Sequence, residues 1–335
     1  MTIFFTACKV VKRVAPTDYL LTENSFYVNG KKKKSEELTN LSFQKKNTAV
    51  FGIPLQLYIY NLARPNKDSI FESWLHKNPQ RKQRLISKLS EKQLKQLKAS
   101  SIGINSWLRE VGEAPILLDS LKINKTKINL ERYYFANGWF DRTVNYRVDT
   151  LGSKKAGLSF EIETGTPYTI GEISDRIDSP VIDSLYSNLE QESFLKPGEQ
   201  FSISNFENER SRLTTAFRNK GAYHFSEDYI RFENDTIGTK NNVNIKLQIQ
   251  DRIIRNDDSI ARVPFQTYRI KNVNIYTDAT FENRSKTVID SVSYKDYTVF
   301  GYKKLKYKPK ALTDAILITK GEVFKDLDRS RTYRY

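Results

Sequence analysis

Leu130-Glu-Arg-Tyr-Tyr-Phe-Ala-Asn-Gly-Trp-Phe140 is the stretch whose reading decides the fold. Leu130, Tyr133 and Tyr134 recur at helical spacing, and the pattern stops at Asn137-Gly138. A helix stop of this kind wants a left-handed backbone, which costs glycine little. Beyond Phe140 the period changes from 3.6 to 2. The first alternating run puts Val144, Tyr146 and Val148 on a buried face and Asn145, Arg147 and Asp149 on an exposed one. The second aligns Leu158, Phe160 and Ile162, and residues 150–155 form the turn between them. The stretch therefore predicts a helix running into a β-hairpin.

The unit returns 83 residues later. Leu213, Phe217, Gly221 and Tyr223 match Leu130, Tyr134, Gly138 and Phe140, and the strict alternation Val243–Gln250 closes a second hairpin. Ahead of it, Tyr168–Ile173 reads as a strand, and Ser179-Pro180 starts a helix faced by Ile182, Leu185, Tyr186 and Leu189. Ser204 and Glu207 have capping-box spacing at the start of a helix that carries Phe206, Leu213 and Phe217. The order strand, helix, helix, strand, strand fills residues 166–252.

A third copy begins at Thr267. Tyr268, Ile270 and Val273 match Tyr168, Ile170 and Ile173 at an offset of 100, whereas Gly321, Glu322 and Phe324 match Gly198, Glu199 and Phe201 at 123. The difference places an extra hairpin at 287–308, carrying Val288, Val292, Tyr294, Tyr297 and Val299. The third unit, 265–335, is expected to be incomplete, as part of a longer protein. In the first unit, 17–165, Gly112-Glu113 is the candidate for the same Gly-Glu marker. Asp18–Val28 reads as its first strand, with Tyr19, Leu21 and Phe26 available to one face, and Ser35–Leu41 as a short helix. Residues 44–111 read as a helical insertion. Ser69/Glu72 and Ser90/Gln93 have capping-box spacing there, Asn78-Pro79 breaks the run, and Ile104, Trp107, Leu108 and Val111 mark an amphipathic helix.

The net charge of +16 is uneven. Residues 1–110 hold 20 Lys and Arg against 8 Asp and Glu, while the remainder holds 35 against 31. The basic third is either a solvated lysine-rich face or a contact for an anionic surface: lipid head groups, an acidic protein or nucleic acid. Nucleic acid is the weaker of these, because no aromatic residues are interleaved with the lysines of 81–98. No apolar run is long enough to span a membrane as a helix. The one cysteine, Cys8, excludes an internal disulfide.

Residues 1–16 read as a truncated lipoprotein signal and linker. Phe5-Thr-Ala-Cys8 has the form of a bacterial lipobox, an apolar residue and two small ones before a cysteine whose thiol takes the lipid; the bland alternative is a stray cysteine near a ragged end. Nothing suggests an enzyme. His76 and His224 lie far apart and outside any metal-ligand spacing, no phosphate-binding glycine loop or nucleophile elbow is present, and no cofactor is expected. Asn234-Asp235 and Asn256-Asp257-Asp258 are turn chemistry without calcium-loop spacing.

The tandem unit resembles the POTRA domain of the BamA/TamA superfamily of outer-membrane assembly proteins. Tyr134-Phe-Ala-Asn-Gly-Trp-Phe140, Glu207–Gly221 and Pro197-Gly-Glu199 carry the resemblance. With the lipobox ahead of it, the chain is most similar to the lipid-anchored TamA-like proteins. The resemblance implies an α+β fold of tandem POTRA domains, each a small mixed sheet with two helices on one face. It implies a lipid-anchored position on the periplasmic side of the outer membrane, ahead of a C-terminal β-barrel that this chain lacks. It also implies outer-membrane protein precursors as clients and a TamB-like or other periplasmic partner, with no nucleic acid. Clients would add to the open edge of each unit's second strand, here Asp141–Asp149 and Ser226–Glu233, with Val144, Tyr146, Val148, Ile230 and Phe232 as candidate binding residues. The alternatives are that Arg142, Arg147, Glu227 and Asp228 merely shield these edges, and that the chain is a free-standing periplasmic scaffold or adhesion lipoprotein without a barrel.

Overall fold

The computed structural model describes residues 10–334 apart from Ser153, Asp257, Asp258 and Arg284. Cys8 and its lipobox lie outside the described residues. The chain divides into two compact units. One comprises residues 1–135 and 139–165, and the other residues 136–138 and 166–335.

The first unit opens with β1 (Leu20–Val28), β2 (Lys31–Lys33) and α1 (Glu36–Leu41). The insertion follows as α2 (Leu55–Leu62), α3 (Lys67–His76), α4 (Pro79–Ile86) and α5 (Glu91–Val111). The unit closes with α6 (Ser120–Ala136), β3 (Arg142–Thr150) and β4 (Lys155–Thr164). Its sheet runs β2-β1-β4-β3, with β1 parallel to β4 and the other pairs antiparallel.

Leu21 and Phe26 are an odd number of residues apart, so in a regular strand they would face opposite ways. Their register skips at Thr22: Leu21 lies opposite Ala156 and Phe26 opposite Phe160. This bulge returns both side chains to the face of Leu158, Phe160 and Ile162. There they meet Leu130 and Tyr134 of α6, and Phe26 stacks on Phe160 at 5.6 Å. Full burial of a side chain the size of Leu130 stabilises the fold by about 2 kcal/mol. Against expectation, Tyr146 and Val148 are 41% and 39% exposed; only Val144 of the three is buried. The core face of β3 is covered at its start and uncovered towards its far end.

The second unit contains β5 (Thr169–Ile177), α7 (Pro180–Ser187), α8 (Ile203–Asn219), β6 (Ile230–Asp235) and β7 (Asn242–Ile249). The sheet order is β5-β7-β6, with β5 parallel and β6 antiparallel to β7. A bulge between Ile170 and Ile173 repeats the one after Leu21. Ile182, Tyr186, Leu213, Phe217, Leu247 and Ile249 form the core, and burial pushes the Tyr186 hydroxyl up to about 12. The Ser179 hydroxyl does not cap α7. It donates to Asp251 and accepts from the Phe265 N–H. Ser202, not Ser204, occupies the N-cap of α8.

A hairpin absent from the sequence reading, β8 (Arg252–Asn256) with β9 (Ser259–Val263), links this repeat to the next. The expected extra hairpin forms β11 (Asp290–Tyr294) and β12 (Tyr297–Gly301). It packs beside β10 (Val273–Tyr276) in the order β10-β12-β11, the place that β7 and β6 take beside β5. Short helices α9 (Pro309–Thr313) and α10 (Asp326–Thr332) complete the described chain.

One hydrogen-bond pattern marks all three repeats. In the second, Phe201 N–H donates to Tyr168 O and Ile170 N–H to Glu199 O. In the third, Phe324 donates to Tyr268 and Ile270 to Glu322. In the first, Leu118 donates to Tyr19 and Leu21 to Ile116. The place of Gly198-Glu199 is thus held by Pro115-Ile116, and the expected marker Gly112-Glu113 is displaced from it. Gly112 instead ends α5, where a Cβ would lie 2.5 Å from the Tyr60 nitrogen.

Candidate functional site

β3 and β6 are each the last strand of their sheet, so each leaves one main-chain edge unpaired by any strand among the described residues. Which groups face that edge follows from the ladder. Gly165 N–H donates to Asp141 O and Leu151 N–H to Lys155 O, both at 2.8 Å, at the two ends of the β3–β4 register. Antiparallel pairs alternate between hydrogen-bonded and non-hydrogen-bonded types. Thr143, Asn145, Arg147 and Asp149 therefore bond to β4. Arg142, Val144, Tyr146, Val148 and Thr150 direct their N–H and C=O groups outward. The half-exposed side chains of Tyr146 and Val148 sit beside the same outward groups.

The two edges differ. β3 offers nine residues and β6 six. At β6 the guanidinium of Arg210 donates to Ile230 O at 3.3 Å and lies 5.5 Å from the Phe232 ring centre, which covers the start of that edge. Ile230 is buried in the core and Phe232 is half-buried against it. At β3 the helix position matching Arg210 is Lys127, and the strand's own first arginine reaches back to α6: Arg142 Nε donates to Glu131 O, with its guanidinium 4.6 Å from Phe135. Arg147 pairs with Asp149 at 3.1 Å and Glu161 at 3.7 Å on the solvent face, so its charge is largely spent within the sheet. Of the five candidate side chains, Tyr146 and Val148 are presented to solvent, Phe232 partly, and Val144 and Ile230 serve the core.

The two histidines lie in separate surroundings. His76 lies 3.5 Å from Glu72 on an exposed helix face. His224 packs edge-on against Tyr268 at 5.1 Å, and its partial burial, with Arg252 and Arg218 nearby, holds its pKa below the usual histidine value. Among the described residues no group of three His, Cys, Asp or Glu is placed to hold a metal ion. Sequence reasoning missed a buried ion pair: Glu209, on the inward side of α8, accepts from both Arg212 and the Phe194 N–H. Its spacing of three from Phe206 was the available signal.

No protein-family model and no curated protein matches the sequence. Several solved structures are similar to it. POTRA domains 3–5 of BamA from Haemophilus influenzae share 9% identity over 96% of this chain and 86% of that one, with a TM-score of 0.36. POTRA domains 1–3 of the periplasmic domain of Omp85 from Anabaena share 8% over 96% and 86%, at 0.27. The N-terminal domain of Omp85 from Thermosynechococcus elongatus shares 9% over 66% and 73%, at 0.25.

Proposed function

We propose that the chain is the periplasmic POTRA region of an outer-membrane protein assembly factor of the lipid-anchored TamA-like kind, and that β3 takes up extended segments of unfolded precursors or of a periplasmic partner. The observation that carries this reading is the nine-residue edge of β3, with outward main-chain groups at Val144, Tyr146 and Val148. A segment added there gains main-chain hydrogen bonds whatever its sequence, which suits a module with many clients. The Cys8 lipid would hold the array at the membrane, and a TamB-like protein is the partner the resemblance suggests.

Proline separates the edge from the ladder. At Tyr146 it deletes an outward N–H and leaves the bonds to β4 intact, whereas at Arg147 it deletes a ladder bond. Tyr146→Pro is expected to keep the native circular dichroism spectrum and to lose binding of an extended outer-membrane-protein peptide, read by fluorescence anisotropy. Full binding by a folded Tyr146→Pro chain would sink the edge reading. The anchor is tested separately: metabolic lipid label is expected on the exported protein and lost in Cys8→Ala, and its absence from wild type would remove the lipid from the proposal.

A further inference from the structure

The insertion leaves an apolar face uncovered. Its own core is small: Phe71 and Leu75 of α3 meet Leu94 of α5, with Leu85 and Ile86 of α4 against them. Leu94, Ser101, Asn105 and Leu108 therefore define the packed side of α5. Gln93, Leu97, Ser100, Ile104, Trp107 and Val111 recur at steps of four and three, which is one face of a helix, and all six are exposed. Ile104 and Trp107 are 62% and 57% exposed. No charged residue interrupts this stripe, which runs about 27 Å along the helix. Its neighbour Leu62 of α2 joins Ile104 and Leu108 in a shallow cleft of about 270 Å³, whose walls include Arg64 and Lys67.

The charge of the insertion that carries the stripe is one-sided. Residues 44–111 carry 13 Lys and Arg against 4 Asp and Glu. Lys92, Lys95 and Arg109 project from the other exposed sides of α5, beside Glu91 and Glu110 at its two ends. Two of the chain's three tryptophans, Trp74 and Trp107, are exposed in this insertion, and Trp74 carries the Arg81 guanidinium 5.0 Å from its ring centre. Single exposed apolar residues need no explanation, but an aligned stripe does. Tryptophan and branched aliphatics on one face with lysine and arginine on the others describe a helix that lies in a lipid–water interface. Among the described residues no helix is long and apolar enough to cross a membrane, so α5 would lie on the surface.

We propose that this face of the insertion docks on an anionic lipid surface. Leu97, Ile104, Trp107 and Val111 enter the head-group boundary, and the surrounding lysines and arginines meet the lipid phosphates. The charge favours this occupant: an anionic bilayer offers an apolar layer beneath a negative one, matching a neutral stripe on an insertion of net positive charge. The inference does not depend on the β3 edge or on a lipid at Cys8.

The test uses the full chain carrying Cys8→Ala, floated with vesicles of phosphatidylcholine alone or with about 30% phosphatidylglycerol. The chain is expected to float with the anionic vesicles only, and less at high salt. The exposed pair Ile104→Ser/Trp107→Ser is expected to lower partitioning roughly tenfold or more with unchanged helicity. Unaltered flotation of that folded variant, or no flotation of the parent chain, would overturn the proposal. A dimer in solution that the same pair converts to monomer would assign the stripe to a second copy, and would overturn it as well.

Discussion

The main-chain carbonyl of Gly221 accepts the N–H of Tyr268 at 2.9 Å, so the third repeat begins directly on the turn that ends the second. Gly138 and Tyr168 make the same bond at 2.8 Å. Gly221 stands at φ +100°, and a Cβ there would come within 2.7 Å of Thr267 Cγ2 and 2.8 Å of Val323 Cγ1. Gly198 is also left-handed, at φ +83°, but has open space around it. Alanine at 198 thus meets only the backbone cost, about 1 kcal/mol, while alanine at 221 adds overpacking and costs about 2–4 kcal/mol. Urea unfolding of the two variants checks this, and equal losses would show that the junction yields without cost.

The insertion contains two capping-box spacings, of which one forms. Ser90 accepts from Gln93 N–H at 3.2 Å, and the Gln93 side chain accepts from Ser90 N–H at 2.9 Å, which opens α5. Ser69 lies inside α3, whose N-cap is Asn66. Ser90→Ala is expected to cost about 1 kcal/mol and to raise hydrogen exchange in the first turn of α5. Ser69→Ala is expected to stay within about 0.5 kcal/mol of wild type. A larger loss at 69 than at 90 would contradict the assignment of the two helix starts.

What could be read from the sequence were properties that repeat locally. Leu130/Leu213, Tyr134/Phe217 and Gly138/Gly221 coincide in the structure because helix period and turn chemistry are set within a few residues. The offsets of 100 and 123 coincide because Tyr268 and Phe324 bond as Tyr168 and Phe201 do. The failures lie where distant chain decides. Gly112-Glu113 resembles Gly198-Glu199, yet it is recruited to the close approach of Tyr60. Ser179 has the sequence of a cap, but Asp251 and Phe265 take its hydroxyl. Ile104, Trp107 and Val111 have core periodicity, yet among the described residues nothing buries them. At the candidate site the alternation of β3 was legible, and the exposure of Tyr146 and Val148 was not, because exposure is set by what covers a strand.

His224 gives the second repeat a pH response. Its burial beside Arg252 and Arg218 depresses its folded pKa, so between that value and the ordinary one near 6.5 the unfolded chain binds more protons than the folded one. The histidine's contribution to stability is therefore fully present above the unfolded pKa and is lost as pH falls through the folded pKa. Thermal unfolding midpoints from neutral to mildly acid pH are expected to decline less steeply in His224→Gln than in wild type. Parallel profiles would show that the imidazole titrates alike in both states.

Glu209 ties a loop to the core through a buried charge. It is 2% exposed, sits on α8 between Phe206 and Leu213, and accepts from Arg212 Nη2 at 2.7 Å, Arg212 Nε at 2.9 Å and Phe194 N–H at 3.0 Å. The hydrogen bonds to Glu209 raise the Arg212 pKa further, so the guanidinium stays charged. Removing the carboxylate leaves that cation and an amide N–H without their acceptor, which breaks a buried pair from one side. Glu209→Ala is expected to cost about 3–5 kcal/mol. Glu209→Leu combined with Arg212→Leu removes both charges and is expected to recover most of that loss, since only the Phe194 N–H then lacks its bond. Denaturant unfolding of the single and double variants gives the comparison. A double variant no more stable than Glu209→Ala would mean that the loop anchor at Phe194, rather than the charge pair, carries the energy.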